Sequence, residues 1–334
     1  MIKVAINGFG RIGRLVFRIM EENPNLEVVA INDLTDPAQL AYLLKYDTSH
    51  RTYMKDEISS DDKNIIVKGR KIPVFAEMDP ANLPWKKLGV EEVFECTGKF
   101  TEKDKAMAHI TAGAKKVIIS APAKGDLKTI VFNVNHKILD GTEEVISAAS
   151  CTTNCLAPVL DVLDRTFGVE RGFMTTVHAY TNDQSILDIA HKKGHMARRG
   201  RAGAANIVPS STGAATAIGL VLPQLQGKLA GGALRVPTTT GSVIDLTLKL
   251  KKNTTAEEIN KAFEKNQNDT IKITYDPIVS SDIIGTHEGA TVDGLLTTVL
   301  DDNGEQLVKV TAWYDNEMGY SAQMVRTAEY LGRK

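Results

Sequence analysis

Ile2-Lys3-Val4-Ala5-Ile6-Asn7-Gly8-Phe9-Gly10-Arg11-Ile12-Gly13 stands at the start of the chain. Residues 2–7 read as a short buried strand, and Gly8 to Gly13 spell G-x-G-x-x-G. Ile12, Leu15, Val16, Ile19 and Met20 then recur at helical spacing, until Asn23-Pro24-Asn25 stops the helix. A second strand, Leu26 to Ile31, ends at Asn32-Asp33, 20 positions after the last glycine of the motif. Alone, three spaced glycines say little. Between a strand and a helix, with an acid at that distance, they meet the requirements of a dinucleotide-binding βαβ unit. The glycines let backbone approach a pyrophosphate on the helix N-terminus. Asp33 would take the ribose hydroxyls.

Outward from this unit the alternation of helix and strand continues. Leu40 to Tyr46 reads as helix, and residues 65–67 and 72–75 as a hairpin insertion around Lys68-Gly69-Arg70. Val90 to Cys96 is a strand ending in Thr97-Gly98, Lys103 to Ala112 a helix, and Lys116 to Pro122 a strand with small residues at its tip. Thr129 to Phe132 and Glu144 to Ile146 complete a doubly wound, mainly parallel α/β domain over 1–149. Beyond it, strands come with fewer crossover helices: Phe173 to Tyr180, Ser242 to Leu250, Thr270 to Tyr275, Gly294 to Leu300 and Gln306 to Tyr314. With a helix over 255–267, residues 150–316 read as an α+β domain on a mostly antiparallel or mixed sheet. A last helix within 317–334 is expected to return to the first domain. Residues 181–209, with Arg198, Arg199 and Arg201, form a long weakly periodic segment of the kind used for function or interfaces.

Composition narrows the class. The 334 residues exceed one ordinary core, the formal net charge is −1, and no stripe of like charge suggests a nucleic-acid groove. No apolar run approaches a membrane span, and the first strand meets Asn7-Gly8 too early for a signal peptide. Three cysteines, Cys96, Cys151 and Cys155, have no disulfide-framework or zinc spacing, and the seven histidines show no ligand pattern. The expectation is a reducing, cytoplasmic setting without metal.

Ser147-Ala148-Ala149-Ser150-Cys151-Thr152-Thr153-Asn154-Cys155 holds the chemistry. It follows the strand Glu144 to Ile146 and precedes Leu156, Val159, Leu160, Leu163 and Phe167 at helical spacing, with Ser150 placed as N-cap and Pro158 either delaying or kinking the helix. A thiol there faces backbone N–H groups and the positive end of the dipole, which favour thiolate. The alternative is an inert buried cysteine. His178 follows 27 residues later in the strand Thr175 to Tyr180. A strand histidine is commonly structural. Brought against Cys151 by the fold, it would make an activated-thiol pair.

Several segments together resemble the phosphorylating glyceraldehyde-3-phosphate dehydrogenase family. They are Ala149-Ser150-Cys151-Thr152-Thr153-Asn154, Ile6 to Gly13, Trp313-Tyr314-Asp315-Asn316-Glu317, His178-Ala179-Tyr180-Thr181, Ser211-Thr212-Gly213-Ala214-Ala215 and Leu234-Arg235-Val236-Pro237. The similarity covers essentially the whole chain. It implies a Rossmann NAD domain and a catalytic domain, with Cys151 the nucleophile and His178 its base. It implies substrate or inorganic phosphate binding at Ser150, Thr152, Thr181, Arg199 or the adjacent Arg198, Thr212, Gly213 and Arg235. Cofactor positions are Gly8, Gly10, Arg11, Ile12, Gly13, Asn32, Asp33, Thr97, Ser120 and Asn316. The implied reaction is oxidative phosphorylation of glyceraldehyde 3-phosphate with NAD reduction, through a thiohemiacetal and a thioester, in a cytoplasmic homotetramer whose segment 181–209 packs near a neighbour's cofactor. Met78 stands where many relatives carry Arg, and Ala190 where NAD-preferring ones often carry Pro. NAD is nevertheless expected, because Asp33 would repel a 2′-phosphate. Erythrose-4-phosphate dehydrogenase shares the scaffold and is the nearer alternative. A non-catalytic NAD-binding redox sensor built on Cys151 and Cys155 is the more distant one.

Overall fold

Val4, Ala5 and Ile6 have no exposed surface, as befits a strand covered on both faces. They lie in β1 (Ile2–Asn7), the middle strand of a nine-stranded sheet in the computed structural model, which describes residues 1–191 and 194–334. Two units are formed, Met1–Ser150 with Ser321–Lys334, and Cys151–Tyr320.

In the first unit β1 leads to α1 (Arg11–Met20), β2 (Leu26–Asn32), α2 (Pro37–Lys45), β3 (Ile58–Ser60), β4 (Asn64–Val67) and β5 (Arg70–Phe75). There follow α3 (Trp85–Leu88), β6 (Glu92–Glu95), α4 (Lys103–Thr111), β7 (Lys116–Ile119), β8 (Lys128–Thr129) and β9 (Val145–Ser147). The sheet order is β3-β4-β5-β2-β1-β6-β7-β9-β8. From β5 to β8 neighbouring strands are parallel, and β3 and β4 form an antiparallel edge. This is the expected doubly wound sheet. Because β2 and β6 lie on opposite sides of β1, the order reverses there and opens a crevice beyond the strands' carboxyl ends.

The glycine turn is built by close approach. Gly8 has φ +91°, and a Cβ on it would stand 2.8 Å from the backbone of Cys96 and Thr97. A Cβ on Gly13 would stand 2.1 Å from the Gly8 carbonyl oxygen, whereas one on Gly10 would meet nothing within 4 Å. The expected strand Thr129 to Phe132 shrinks to the two residues of β8. Asn135 is responsible: its Oδ1 accepts from the Val131 N–H at 2.8 Å and its Nδ2 donates to the Thr129 carbonyl at 2.8 Å, replacing ladder bonds with a turn.

The second unit begins with α5 (Cys151–Phe167), one helix with Pro158 inside it, so of the two expectations for Pro158 the late start is ruled out. β10 (Val169–Ala179), β11 (Val208–Ser210), α6 (Ala214–Val221), β12 (Leu229–Val236), β13 (Ser242–Leu250) and α7 (Ala256–Lys265) follow. Then come β14 (Ile271–Thr274), β15 (Ala290–Asp293), β16 (Thr298–Asp302) and β17 (Glu305–Tyr314); α8 (Met318–Gly332) starts at the end of this unit, and from Ser321 onward it belongs to the first. The sheet of the second unit runs β11-β12-β10-β13-β17-β15-β14, with β16 paired to β17. It is mixed, since β10 pairs with β12 and β14 with β15 in parallel and the rest are antiparallel. α7 starts on a capping box of Thr255 and Glu258. The expected strand Gly294 to Leu300 is divided: β15 stops at Asp293, and β16 starts only at Thr298.

In the first unit the C-terminal segment is tied down by Glu329, whose carboxylate accepts from the Asn23 and Asn25 side chains at 2.8 Å each. Among the described residues no helix is long and apolar enough to cross a membrane, and no cluster of three His, Cys, Asp or Glu could hold a metal ion.

Candidate active site

β1, β2 and β6 end on Asn7, Asn32 and Glu95, and beyond these ends lies a cavity of about 300 Å³. Gly8, Gly10, Asn32, Asp33 and Thr97 line it, together with Asn7, Glu77, Met78 and Cys96. Asp33 is fixed by backbone: Oδ2 accepts from the Phe9 N–H at 2.7 Å and Oδ1 from the Thr35 N–H at 2.9 Å. The other expected cofactor positions lie differently. Arg11 turns its guanidinium to Asp47 in a two-pronged ion pair, Nη2 to Oδ1 at 3.1 Å. Ile12 and Gly13 sit in the first turn of α1. Ser120 follows β7, with its N–H on the Glu95 carbonyl. Asn316 belongs to the second unit. There its Oδ1 accepts from Ser242 Oγ at 2.8 Å, Gly241 N at 3.2 Å and Thr240 Oγ1 at 3.3 Å, so its amide nitrogen is the end suited to a ligand's carbonyl.

The second unit gathers the chemical groups. Cys151 opens α5, and His178 and Arg235 are register neighbours on the parallel strands β10 and β12. Cys151 Sγ is 3.4 Å from His178 Nε2. His178 Nδ1 lies 2.6 Å from both the Ala179 carbonyl oxygen and Arg235 Nη1. Arg199 pairs with Asp183, which also accepts from the Thr181 hydroxyl, and its charge bears on both His178 and Arg235. Arg198 is exposed. It lines, with Arg199, Ser210 and Ser211, a cavity of about 450 Å³. Ser150 holds the N-cap position of α5, directly after Ala149 at φ +59°, and Thr212 and Gly213 lead into α6. Lys192 and Lys193, inside the segment 181–209, fall outside the described residues.

The electrostatics correct one expectation. A helix N-terminus was expected to favour the Cys151 thiolate, yet in the free chain burial lifts this thiol above its ordinary value. Arg235, then hydrogen bonds with Thr152, pull the other way without overcoming burial. Burial, and next the Arg235 charge, hold His178 down at about 3. Both directions favour a thiol beside a neutral imidazole. Cys155, fully buried one turn along α5, is lifted well above the ordinary value by burial and then by Cys151. Burial also raises Cys96 strongly.

Sequence reasoning passed over Tyr314 and Thr176. The buried Tyr314 hydroxyl is 3.0 Å from Thr152 Oγ1 and 2.8 Å from Thr176 Oγ1, beneath the thiol. The inward period of β17 was the available signal for the tyrosine.

Comparison with known proteins decides the family. The protein-family model described as "Glyceraldehyde 3-phosphate dehydrogenase, NAD binding domain" matches residues 2–103, and that described as "Glyceraldehyde 3-phosphate dehydrogenase, C-terminal domain" matches 150–316. The chain is 58% identical over 333 residues to the glyceraldehyde-3-phosphate dehydrogenase of Clostridium pasteurianum and 57% to that of Clostridium acetobutylicum, each covering 100% of this chain and 99% of the relative. It is 55% identical over 334 residues to that of Streptococcus pyogenes, with the same coverage. The chain belongs to the glyceraldehyde-3-phosphate dehydrogenase family. As a member it is a glycolytic NAD-dependent oxidoreductase acting on an aldehyde. The first-unit cavity suits the glyceraldehyde-3-phosphate dehydrogenase cofactor, since Gly10 leaves its floor bare of side chain and Asp33 stands at its wall.

Proposed function

We propose that the chain oxidises glyceraldehyde 3-phosphate and passes the acyl group to inorganic phosphate, with Cys151 as nucleophile and His178 as base. The observation behind this reading is the 3.4 Å approach of Cys151 Sγ to His178 Nε2 at the start of α5. A neutral imidazole can accept the thiol proton as sulfur attacks the aldehyde carbon and return it to the new alkoxide, giving a thiohemiacetal and leaving the imidazole neutral again. The Cys151 N–H at the helix terminus is a donor for the developing oxyanion. Bound NAD would supply the hydride acceptor, and in the first unit Gly8, Gly10, Asn32, Asp33 and Thr97 are the residues that would hold it. His178 takes the hydroxyl proton as the thiohemiacetal loses hydride and becomes a thioester; phosphate then attacks the thioester carbon, the acyl group leaves as an acyl phosphate, and the released Cys151 sulfur recovers the proton from His178.

Two anions must be held, the substrate's phosphate and the attacking one. Arg235 and Arg199 offer guanidinium forks, and Ser150, Thr152, Thr181, Thr212 and the Gly213 backbone offer further donors. The exposed Ile186, Leu187, Ile189 and Met196 favour burial of segment 181–209 against another subunit, in line with a homotetramer. Three free cysteines fit a reducing, cytoplasmic compartment. The test is turnover of glyceraldehyde 3-phosphate and NAD with and without inorganic phosphate, run beside Cys151→Ser. Turnover that needs phosphate and is lost in C151S while NAD still binds is expected. An active C151S would sink the reading, and a clear preference for erythrose 4-phosphate would reassign the substrate.

A further inference from the structure

Beneath the first-unit cavity lies a buried chain of polar side chains that begins outside the cavity lining. Trp85 on α3 and His109 on α4 have no exposed surface. Trp85 Nε1 is 3.0 Å from His109 Nδ1. An indole nitrogen only donates, so Nδ1 is an acceptor and the imidazole proton sits on Nε2. That Nε2 is 3.1 Å from Glu95 Oε2 and donates to it. Glu95, at the end of β6, is likewise buried and shares Oε2 with the Asn7 amide nitrogen at 2.5 Å. Its Oε1 accepts from the Thr97 N–H at 2.8 Å and from the Thr97 hydroxyl.

Asn7 carries the connection across the floor. Its Oδ1 accepts from Asn32 Nδ2 at 2.7 Å. The Asn32 amide in turn pairs with the backbone of Glu77, Nδ2 to the carbonyl and Oδ1 from the N–H, both at 2.9 Å. Thr97 stands in one wall of the cavity and Glu77-Met78 in another, while Asn7 and Asn32 line it between them.

The geometry points to Glu95, His109 and Trp85 as positioning residues for NAD: together they set the places of Thr97, Asn7, Asn32 and the Glu77 backbone before the cofactor arrives. The physical reason is preorganisation. A buried carboxyl with four donors has one arrangement that satisfies all of them, and removing a donor leaves an acceptor unsatisfied and the remaining groups free to shift. Binding must then order what the relay had held. Glu95, His109 and Trp85 belong to the first unit, and Cys151 and His178 to the second. The relay's bonds end on Thr97 and Asn7 in the cavity wall, so its effect is expected on cofactor affinity and not on the thiol chemistry. This inference rests on the assignment of NAD to the first unit, so wild-type NAD binding is measured first. Failure there would sink that assignment, independently of the relay.

The experiment measures the NAD Kd by calorimetry on the full chain, and kcat at saturating NAD, for Glu95→Gln, His109→Leu, His109→Gln and Trp85→Phe. E95Q keeps shape and volume but presents an NH2 to one of the four donors. It should raise Kd at least about tenfold with kcat within about twofold of wild type. H109L should behave similarly. H109Q retains one donor and one acceptor and should restore Kd to within about twofold. W85F removes only the outer bond and should raise Kd by a few-fold. A general packing defect would lower kcat and thermal stability alongside affinity, and would not be rescued by H109Q. Wild-type NAD affinity in E95Q, or H109Q as weak as a folded H109L, overturns the proposal. Should H109L fail to fold, the isosteric E95Q decides alone.

Discussion

Arg235 Nη1 and the Ala179 carbonyl oxygen each lie 2.6 Å from His178 Nδ1, and they ask opposite things of it. A guanidinium only donates and a carbonyl only accepts. Nδ1–H on Ala179 leaves the Nε2 lone pair facing sulfur, the tautomer a base needs. Nδ1 accepting from Arg235 puts the proton on Nε2. The expected outcome is that Arg235 governs both partners. In Arg235→Leu, His178 loses a neighbouring cation and should rise from about 3 toward its ordinary value, while Cys151 loses its chief opposing charge and should rise further. Alkylation of Cys151, followed against pH, should shift to higher pH. An unchanged profile would show that the two residues are not coupled.

The depressed His178 also sets an acid limb. A histidine at about 3 stays neutral through the mildly acidic range. Hence single-turnover hydride transfer from unphosphorylated glyceraldehyde, which carries no titrating phosphate, should not fall as pH drops through 6.5. His178→Asn should slow hydride transfer by about 10²–10⁴-fold. A sharp loss of wild-type hydride transfer centred near pH 6.5 would contradict the neutral imidazole.

Arg199 is the cleaner probe of phosphate recognition, because it meets Asp183 and not His178 directly. Arg199→Leu should raise KM for glyceraldehyde 3-phosphate, for inorganic phosphate, or for both by about tenfold, the worth of a charge-assisted hydrogen bond. Unphosphorylated glyceraldehyde should be affected much less. Equal losses on the two aldehydes would mark the residue as structural.

NAD should be preferred over NADP by at least about tenfold in kcat/KM. Asp33 cannot readily swing away from a 2′-phosphate, because both its oxygens accept from backbone N–H groups. Asp33→Gly should narrow the ratio through lost NAD affinity, and should also loosen the glycine turn by removing the acceptor for Phe9 N–H. Comparable efficiency with both cofactors in the wild type would overrule the charge argument.

Glu92 on β6 predicts a pH-dependent stability. It is fully buried, neither carboxyl oxygen has a hydrogen-bond partner among the described residues, and burial pushes its acid up to about 8 from 4.5. Since the folded value exceeds the unfolded one, its contribution is full below about 4.5 and is lost as pH rises through about 8. Glu92→Gln should therefore unfold at a temperature several degrees above wild type near pH 8, with the gap closing toward pH 5. A gap independent of pH would refute the assignment.

How much was legible follows from what each signal depends on. The strand, glycines, helix and acid of the first βαβ unit announce themselves because backbone geometry demands those residue types locally. Cys151 and His178 were visible as chemistry, but their 3.4 Å approach is a product of the fold. β12 went unread: Gly231 and Gly232 weaken its strand signal, yet a Cβ at Gly231 would stand 2.4 Å from the Met174 carbonyl oxygen, so the parallel pairing with β10 requires glycine there. The Trp85–His109–Glu95 relay was invisible, because its members are spread along the chain and meet only when α3, α4 and β6 pack. The lifted thiol was missed for a related reason. Helix position is written in sequence, whereas desolvation is not.

The three glycines at the head of the chain are not interchangeable records of ancestry. No methyl group fits at Gly13, 2.1 Å from the Gly8 oxygen, or at Gly8 against the Cys96–Thr97 backbone, while the place above Gly10 is open. In a randomised library, substitutions at 8 and 13 should vanish at the stage of expression, before any ligand is offered. Alanine at 10 should survive expression and disappear only when survivors are sorted on immobilised cofactor. The outer two positions are thus policed by folding and the middle one by binding, so the spelling of this loop can drift at one letter without the architecture taking notice.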